Sequence, residues 1–252
     1  MITAPERISV ASGLPCLIGG QLTVGLTNTS KKDVYADLDL TVSEPMTLSR
    51  HAFSSYLPAT DPDQTVSTDV QVTTPVDLAP GSYRVFLSVQ GQDRREVYVD
   101  VEELDAGPPN GNLAYGQQAF ASSTHTNVKL CGGVDGNTDS SGWGVGGTHD
   151  ATRGVFPDHY GVTLAEATTV GRVEIYTLDS ERYPAARMGI RDFDIQVHTT
   201  QGWQTVKSVT GNEVGHIVAT FDPVVADQVR VVVHDTNDHG YSRIVELEAY
   251  AS

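Results

Sequence analysis

The chain has 252 residues, too many for one ordinary β-sandwich and enough for two domains, and 39% are hydrophobic, enough to build cores. Acidic residues outnumber basic ones 32 to 16, a formal charge of −16. Such a surface repels phosphate backbones and anionic headgroups, which argues against nucleic acid and acidic membranes and leaves hard cations and neutral glycans as partners.

No stretch is apolar for the length a bilayer span needs, and Met1 to Glu6 lacks the basic and apolar regions of a secretory leader. The expectation is a fragment excised from a larger secreted protein, with Met1 an added start; the alternative is a native cytoplasmic start. Leu22, Val24 and Leu26 then alternate with polar or small neighbours, and Tyr35 to Val42 repeats the pattern. So do Val70/Val72, Tyr83/Val85/Leu87/Val89 and Val97/Val99/Val101. Period-two alternation places one face of a strand on a core and the other in water. The runs are separated by turn chemistry at Asn28–Asp33, Ala79–Ser82 and Gly91–Asp93. Short strands with polar turns over residues 1–104 predict an immunoglobulin-like sandwich. Cys16 and Cys131 match no metal or redox spacing. A bridge and a pair of buried thiols both fit; free thiols are the expectation, because sequence alone does not bring the two within bonding distance.

Residues 105–110, inside Asp105-Ala-Gly-Pro-Pro-Asn-Gly111, form a Pro/Gly linker and the expected domain boundary. Strand patterns resume at Gly161–Leu164, Val170–Tyr176, Phe193/Ile195/Val197, Ile217/Val218/Phe221, Val229/Val231/Val233 and Ile244–Tyr250. No apolar 3.6 period persists, so no helix is predicted.

Four segments stand in an order that belongs together: Asn112–Ser123, Gly133–Asp139 followed by Trp143, Arg191–Val197 followed by Trp203, and Ile244–Tyr250. Through them residues 111–252 resemble the coagulation factor V/VIII type C (discoidin) superfamily and, within it, the family 32 carbohydrate-binding modules. Residues 1–104 resemble the immunoglobulin-like spacer domains of bacterial glycoside hydrolases, through Gly20–Asn28 and Leu78–Val85. The implied fold is all-β: two β-sandwich domains, immunoglobulin-like followed by a discoidin/galactose-binding-like jelly roll.

The resemblance implies a structural calcium ion. Calcium takes six to eight hard oxygens, and Asp135-Gly-Asn-Thr-Asp139 supplies carboxylates around a sharp turn at Gly136. Matched residue by residue, the ligands are the Gly132 carbonyl, Asp135, the Asn137 carbonyl, Ser140, the Val245 carbonyl and Glu246. In isolation, Asp-Gly-Asn is also an ordinary turn.

Sugars stack on aromatic faces while planar polar groups grip their hydroxyls. Three loops carry such groups, and in the resembling modules loops at one end of the sandwich form the sugar site. They contribute Trp143, His149 and Asp150; Tyr183, Arg187 and Arg191; and Asn237 and Tyr241. Five of them have a plainer reading as well. Trp143 packs beside the calcium loop, His149 is a solvated histidine, Arg187 and Arg191 pair with carboxylates, and Asn237 makes a turn. Trp203 reads as packing.

There is no nucleophile elbow, phosphate loop or His-Glu-x-x-His helix. The expectation is a non-catalytic, extracellular, monomeric module pair, covalently linked in its parent to a catalytic domain and binding a glycan with a neutral sugar such as galactose. The rivals are an adhesion or protein-interaction fragment and a purely structural sandwich with no working sugar site.

Overall fold

Residues 1–59, 64–90, 93–104, 109–141, 143 and 146–252 are described by the computed structural model, whose chain divides into two units, Met1–Ala106 and Gly107–Ser252. Most of the expected linker, at 105–108, lies outside the described residues, as do Gly91 and Gln92 of the expected turn and Gly142, Gly144 and Val145 near Trp143.

The first unit holds β1 (Ile2–Thr3), β2 (Arg7–Ser12), β3 (Gly20–Thr27), β4 (Val34–Val42), β5 (Thr47–Leu48), β6 (Ala52–Leu57), β7 (Thr65–Thr73), β8 (Gly81–Val89) and β9 (Asp93–Glu103). They form a four-stranded sheet, β1-β3-β7-β5, and a five-stranded sheet, β2-β9-β8-β4-β6. The alternating residues of both sheets meet in one core, with Leu22, Val24, Leu38, Val70, Val72, Val85, Val97 and Val99 sealed from solvent. Strands β2 and β6 escaped the sequence pattern for a physical reason: both are edges. Strand β6 buries only Leu57 fully, and β2 lies parallel on β9 with just Val10 and Ser12 fully buried, so neither needs a strict apolar period. The free-thiol expectation is overturned, since Cys16 and Cys131 are both disulfide-bonded. Residue types along the chain carry no information on which side chains meet in space.

The second unit holds β10 (Gln118–Ala121), β11 (Thr148–His149), β12 (Asp158–Thr177), a single turn α1 (Ala185–Met188), β13 (Ile190–Thr199), β14 (Gly202–Val209), β15 (His216–Thr236) and β16 (Arg243–Tyr250). Its sheet runs β11-β16-β12-β15-β13-β14, with β10 also on β12, and each of these pairings is antiparallel. Strand β12 pairs β10 through its first residues and β16 through its last, while β15 follows it through both halves. Register shifts at Thr163/Thr168 and Val170/Arg172 separate the halves. The inward residues Val162, Val170, Val173, Ile175, Ile195, Val197, Val229, Val231 and Leu247 are completely buried.

Two pairs of expected strands are therefore one strand each. Between Leu164 and Val170 the sequence has no Gly or Pro to stop β12. In β15, Pro223 sits within the shifted register beside Val224, where no ladder donor is demanded of it. The four-residue α1 is too short for a helical period to show.

The ladder brings Thr177 against Ile244 and Ile190 against Thr236, so the end of β12, the end of β15 and the starts of β13 and β16 share one pole. The loops at this pole carry most of the residues singled out from the sequence.

Candidate functional site

A cleft of about 310 Å3 opens at this pole. His149 from β11 forms its centre, held opposite Arg243 by the β11–β16 pairing. The His149 ring centre lies 4.8 Å from Tyr241, 4.9 Å from His125 and 6.0 Å from Trp143. His125 meets Tyr241 edge-on at 5.9 Å. Tyr183, just before α1, and Met188, at its end, continue the wall, with Leu178 and Asn127 completing it.

The polar atoms around these rings are fixed. His149 Nδ1 donates to the Asp150 carbonyl at 2.8 Å, which leaves Nε2 as an acceptor. Burial is the main force holding this imidazole below its ordinary value of 6.5, helped by the nearby His125 and Arg243, so it is neutral at pH 7. His125 Nδ1 donates to Asn127 Oδ1 at 2.6 Å. Arg243, only 7% exposed, grips Asp238 with both Nη atoms at 3.0 and 2.9 Å and donates to the Met188 carbonyl at 2.9 Å. Burial alone would raise Asp238; the Arg243 hydrogen bonds and charge outweigh it and hold the carboxyl below its ordinary range.

Of the eight side chains expected at a sugar site, the cleft gathers Trp143, His149, Tyr183 and Tyr241. It does not gather the other four. Asp150 Oδ1 and Oδ2 accept the Ser242 and Thr152 amides at 2.6 and 2.8 Å, tying two loops together beneath the cleft. Asn237 Nδ2 donates to the Ala185 and Asn212 carbonyls at 2.8 and 2.9 Å. Arg191 pairs with Asp192 and Asp235 at 2.8 and 2.9 Å, and Arg187 is exposed on α1. Asn237→Ala takes the Asn237 donor from the Asn212 carbonyl and leaves the Ala185 carbonyl with the Gly189 amide, so it is expected to cost about 1–3 kcal/mol in urea denaturation.

The expected calcium loop lies beside β16. Asp135 Oδ1 accepts the Asn137 amide at 3.0 Å, Asn137 Oδ1 accepts the Asp139 amide at 3.0 Å, and Asp139 Oδ1 accepts the Ser141 amide at 2.8 Å. Gly136, at φ +82°, donates its amide to Glu246 Oε1 at 3.0 Å. Glu246 is fully buried, and its Oε2 has no hydrogen-bond partner among the described residues. Burial above all, with the charge of Asp135, pushes this carboxyl up to about 9, and burial also raises Asp135. Val245 is skipped by the ladder, since Glu246 faces Tyr176 and Ile244 faces Thr177. The Gly132 carbonyl accepts the Gly147 amide at 3.0 Å. Ser140 departs from expectation: its hydroxyl is turned onto the Asp179 backbone, donating to the carbonyl and accepting the amide at 3.1 Å. Among the described residues no three His, Cys, Asp or Glu side chains gather around one point. A hard cation still suits the place, because an orphaned buried carboxylate oxygen beside a second carboxylate calls for positive charge.

The F5/8 type C domain family matches residues 118–247. The chain belongs to this family. No curated protein matches the chain. Among solved structures it is similar to chitosan-binding module 1 of a chitosanase/glucanase from Paenibacillus sp. IK-5, at 26% identity over 55% of this chain and 98% of that one, TM-score 0.45. It is similar to the family 32 carbohydrate-binding module of C. perfringens NanJ, solved with galactose, at 22% identity over 52% and 91%, TM-score 0.44. A Streptococcus pneumoniae fucose-binding module gives 24% identity over 56% and 95%, TM-score 0.46.

All the cleft side chains of this F5/8 type C domain fall inside the matched segment. Five of them, His125, Asn127, Leu178, Met188 and Arg243, were not singled out from the sequence. Two left a signal. His125-Thr-Asn127 is a compact polar turn after β10, and Arg243 stands two residues beyond Tyr241 where the closing strand begins. Leu178 and Met188 left none.

Proposed function

We propose that the F5/8 type C domain is a non-catalytic carbohydrate-binding module that seats a neutral sugar, galactose or a related residue, in the cleft between Trp143, His149, Tyr183 and Tyr241. The observation supporting this is the ring cluster, with His125, His149 and Tyr241 centred 4.8–5.9 Å apart on the floor of an open cleft. A pyranose has an apolar C–H face that packs on such rings and hydroxyls around its rim. His149 Nε2 accepts from one hydroxyl, and the Asn127 amide nitrogen and Arg243 donate to others.

In this reading calcium is held by Asp135, Glu246 and the carbonyls of Gly132, Asn137 and Val245. It supplies charge balance, not catalysis, and clamps the Gly136 turn to the strand that carries Arg243. The first unit is an immunoglobulin-like spacer in a secreted, monomeric protein whose linked catalytic domain works on the same glycan. Tethering raises local concentration, so millimolar binding, about −4 kcal/mol, is useful.

The test is calorimetric titration of the whole chain with galactose, N-acetylgalactosamine and fucose in calcium. Saturable binding unaffected by added salt is expected, since a neutral sugar releases no counterions. Absence of saturable binding across a neutral-glycan array would overturn the reading.

A further inference from the structure

The outward face of the second unit's sheet carries an arginine with no acid. Phe120, Gly161, Arg230, Gln196 and Thr205 stand in one row across β10, β12, β15, β13 and β14. Gln118, Thr163, Gln228, His198 and Trp203 form the next. A Cβ at Gly161 would lie 2.6 Å from the Phe120 ring and 2.7 Å from Arg230 Cβ, so only glycine lets ring and arginine close over β12.

Arg230 is held on two sides. Its guanidinium lies 3.9 Å from the centre of the Trp203 ring, and its Nε donates to Gln196 Oε1 at 2.8 Å, with Gln196 in turn donating to Thr205 at 3.0 Å. His198 and Phe120 flank the indole at 5.2 and 6.2 Å. Among the described residues the two Nη atoms have neither a hydrogen-bond nor an ion-pair partner. Arg172, Arg191 and Arg243, the other arginines set into this unit's surface, each have a carboxylate. In a chain with 32 acidic residues, an arginine fixed in position without one is an exception. Burial is the influence that moves this guanidinium, and it moves it down.

A guanidinium immobilised at Nε and over its face presents a pre-set fork of N–H donors, the geometry that takes a planar carboxylate bidentately. Beside it, His198, Thr199, Gly202, Val225 and Asp227 line a cleft of about 230 Å3, with room for an adjoining sugar. We propose that this sheet face is a second glycan site, in which the Arg230 fork binds the carboxylate of a uronic acid unit and Trp203 and Phe120 pack against its ring. It differs from the polar cleft in place and in ligand charge, and it stands or falls independently of that cleft.

The experiment is an NMR titration of the full chain at low salt with a galacturonate disaccharide and, separately, its methyl ester. The Trp203 indole N–H resonance is expected to shift saturably with the acid and about tenfold more weakly with the ester. R230Q and R230K both lose the response, the latter because an ammonium keeps the charge and loses the fork, whereas Y241A in the polar cleft leaves it within about twofold. The wild-type indole readout stands even if an arginine variant unfolds. An indole blind to the acid, equal responses to acid and ester, or binding removed by Y241A alone would overturn the proposal.

Discussion

In the proposed calcium-binding reading, stripping the ion is expected to make the stability of the F5/8 type C domain fall with rising pH, and Glu246→Gln to remove most of that fall. Glu246 Oε1 takes the Gly136 amide while the buried Oε2 has no partner among the described residues, so the ionised form has little to replace its lost water. Burial is the dominant cause that raises the carboxyl from 4.5 to about 9; the Gly136 amide opposes it, and the charge of Asp135 adds a lesser push upward. A folded-state pKa above the unfolded value means the protonated group supports the fold. That support is complete below about 4.5 and is lost as pH climbs through about 9, at roughly 1.4 kcal/mol per pH unit in between. In the proposed reading, calcium takes the place of the proton. At about a hundredfold excess over its Kd it returns roughly 2.7 kcal/mol, and it does so at neutral and alkaline pH where the carboxylate is needed ionised. The glutamine variant keeps an acceptor for Gly136, has no charge to desolvate at this position, and loses the calcium response and most of the pH slope, leaving the share of Asp135. Urea denaturation from pH 5 to pH 9, in calcium and in chelator, measures all of this. Equal stability of the chelated wild type across the range would defeat the assignment, as would a denaturation midpoint blind to calcium.

Most of the fold was legible because its strands are half-buried. Val85/Leu87, Phe193/Ile195/Val197 and Val229/Val231/Val233 alternate in sequence because alternate residues meet a core. What escaped was either at an edge, such as β6, or continuous through a bend, such as β12 and β15, where register shifts replace the turns that sequence reading relies on. The site was legible by residue type and only partly by position. Asp150 and Asn237 have the chemistry of sugar ligands, yet each spends its polar atoms on loop amides and carbonyls, because irregular loops must satisfy their backbones somehow. Trp203 read as packing, and it does pack, but the partner is the Arg230 guanidinium from a neighbouring strand, a contact that no local spacing announces. His125 belongs to the cleft only because the loop after β10 is laid against β11, with its amide donating to the His149 carbonyl at 3.1 Å.

Tyr241→Ala is expected to weaken neutral-sugar binding by about tenfold to a hundredfold, or roughly 1.5–3 kcal/mol. Its ring lies 4.8 Å from His149, 5.9 Å from His125 and 5.7 Å from the Arg243 guanidinium. Removing it takes away the stacking surface and frees the two histidines to turn. Tyr241 is half-buried at a loop end, not in the core, so the melting temperature should move little. Tyr241→Phe keeps the ring and is expected to retain binding within about threefold. The same cluster dictates the pH profile. Burial, foremost, keeps His149 below 6.5, and its Nδ1 proton is committed to the Asp150 carbonyl, so Nε2 is an acceptor for the proposed sugar throughout the neutral range. Binding is therefore flat from pH 8 to below 6.5 and falls only as the imidazole takes up its second proton, when the acceptor becomes a donor. Stability follows the same sign: the support from a neutral His149 is complete above 6.5 and lost as pH drops through the depressed folded value. Calorimetry across this range separates the outcomes. A binding midpoint above pH 6.5, or an alanine variant that binds like the wild type, would place the sugar somewhere other than on the His149–Tyr241 floor.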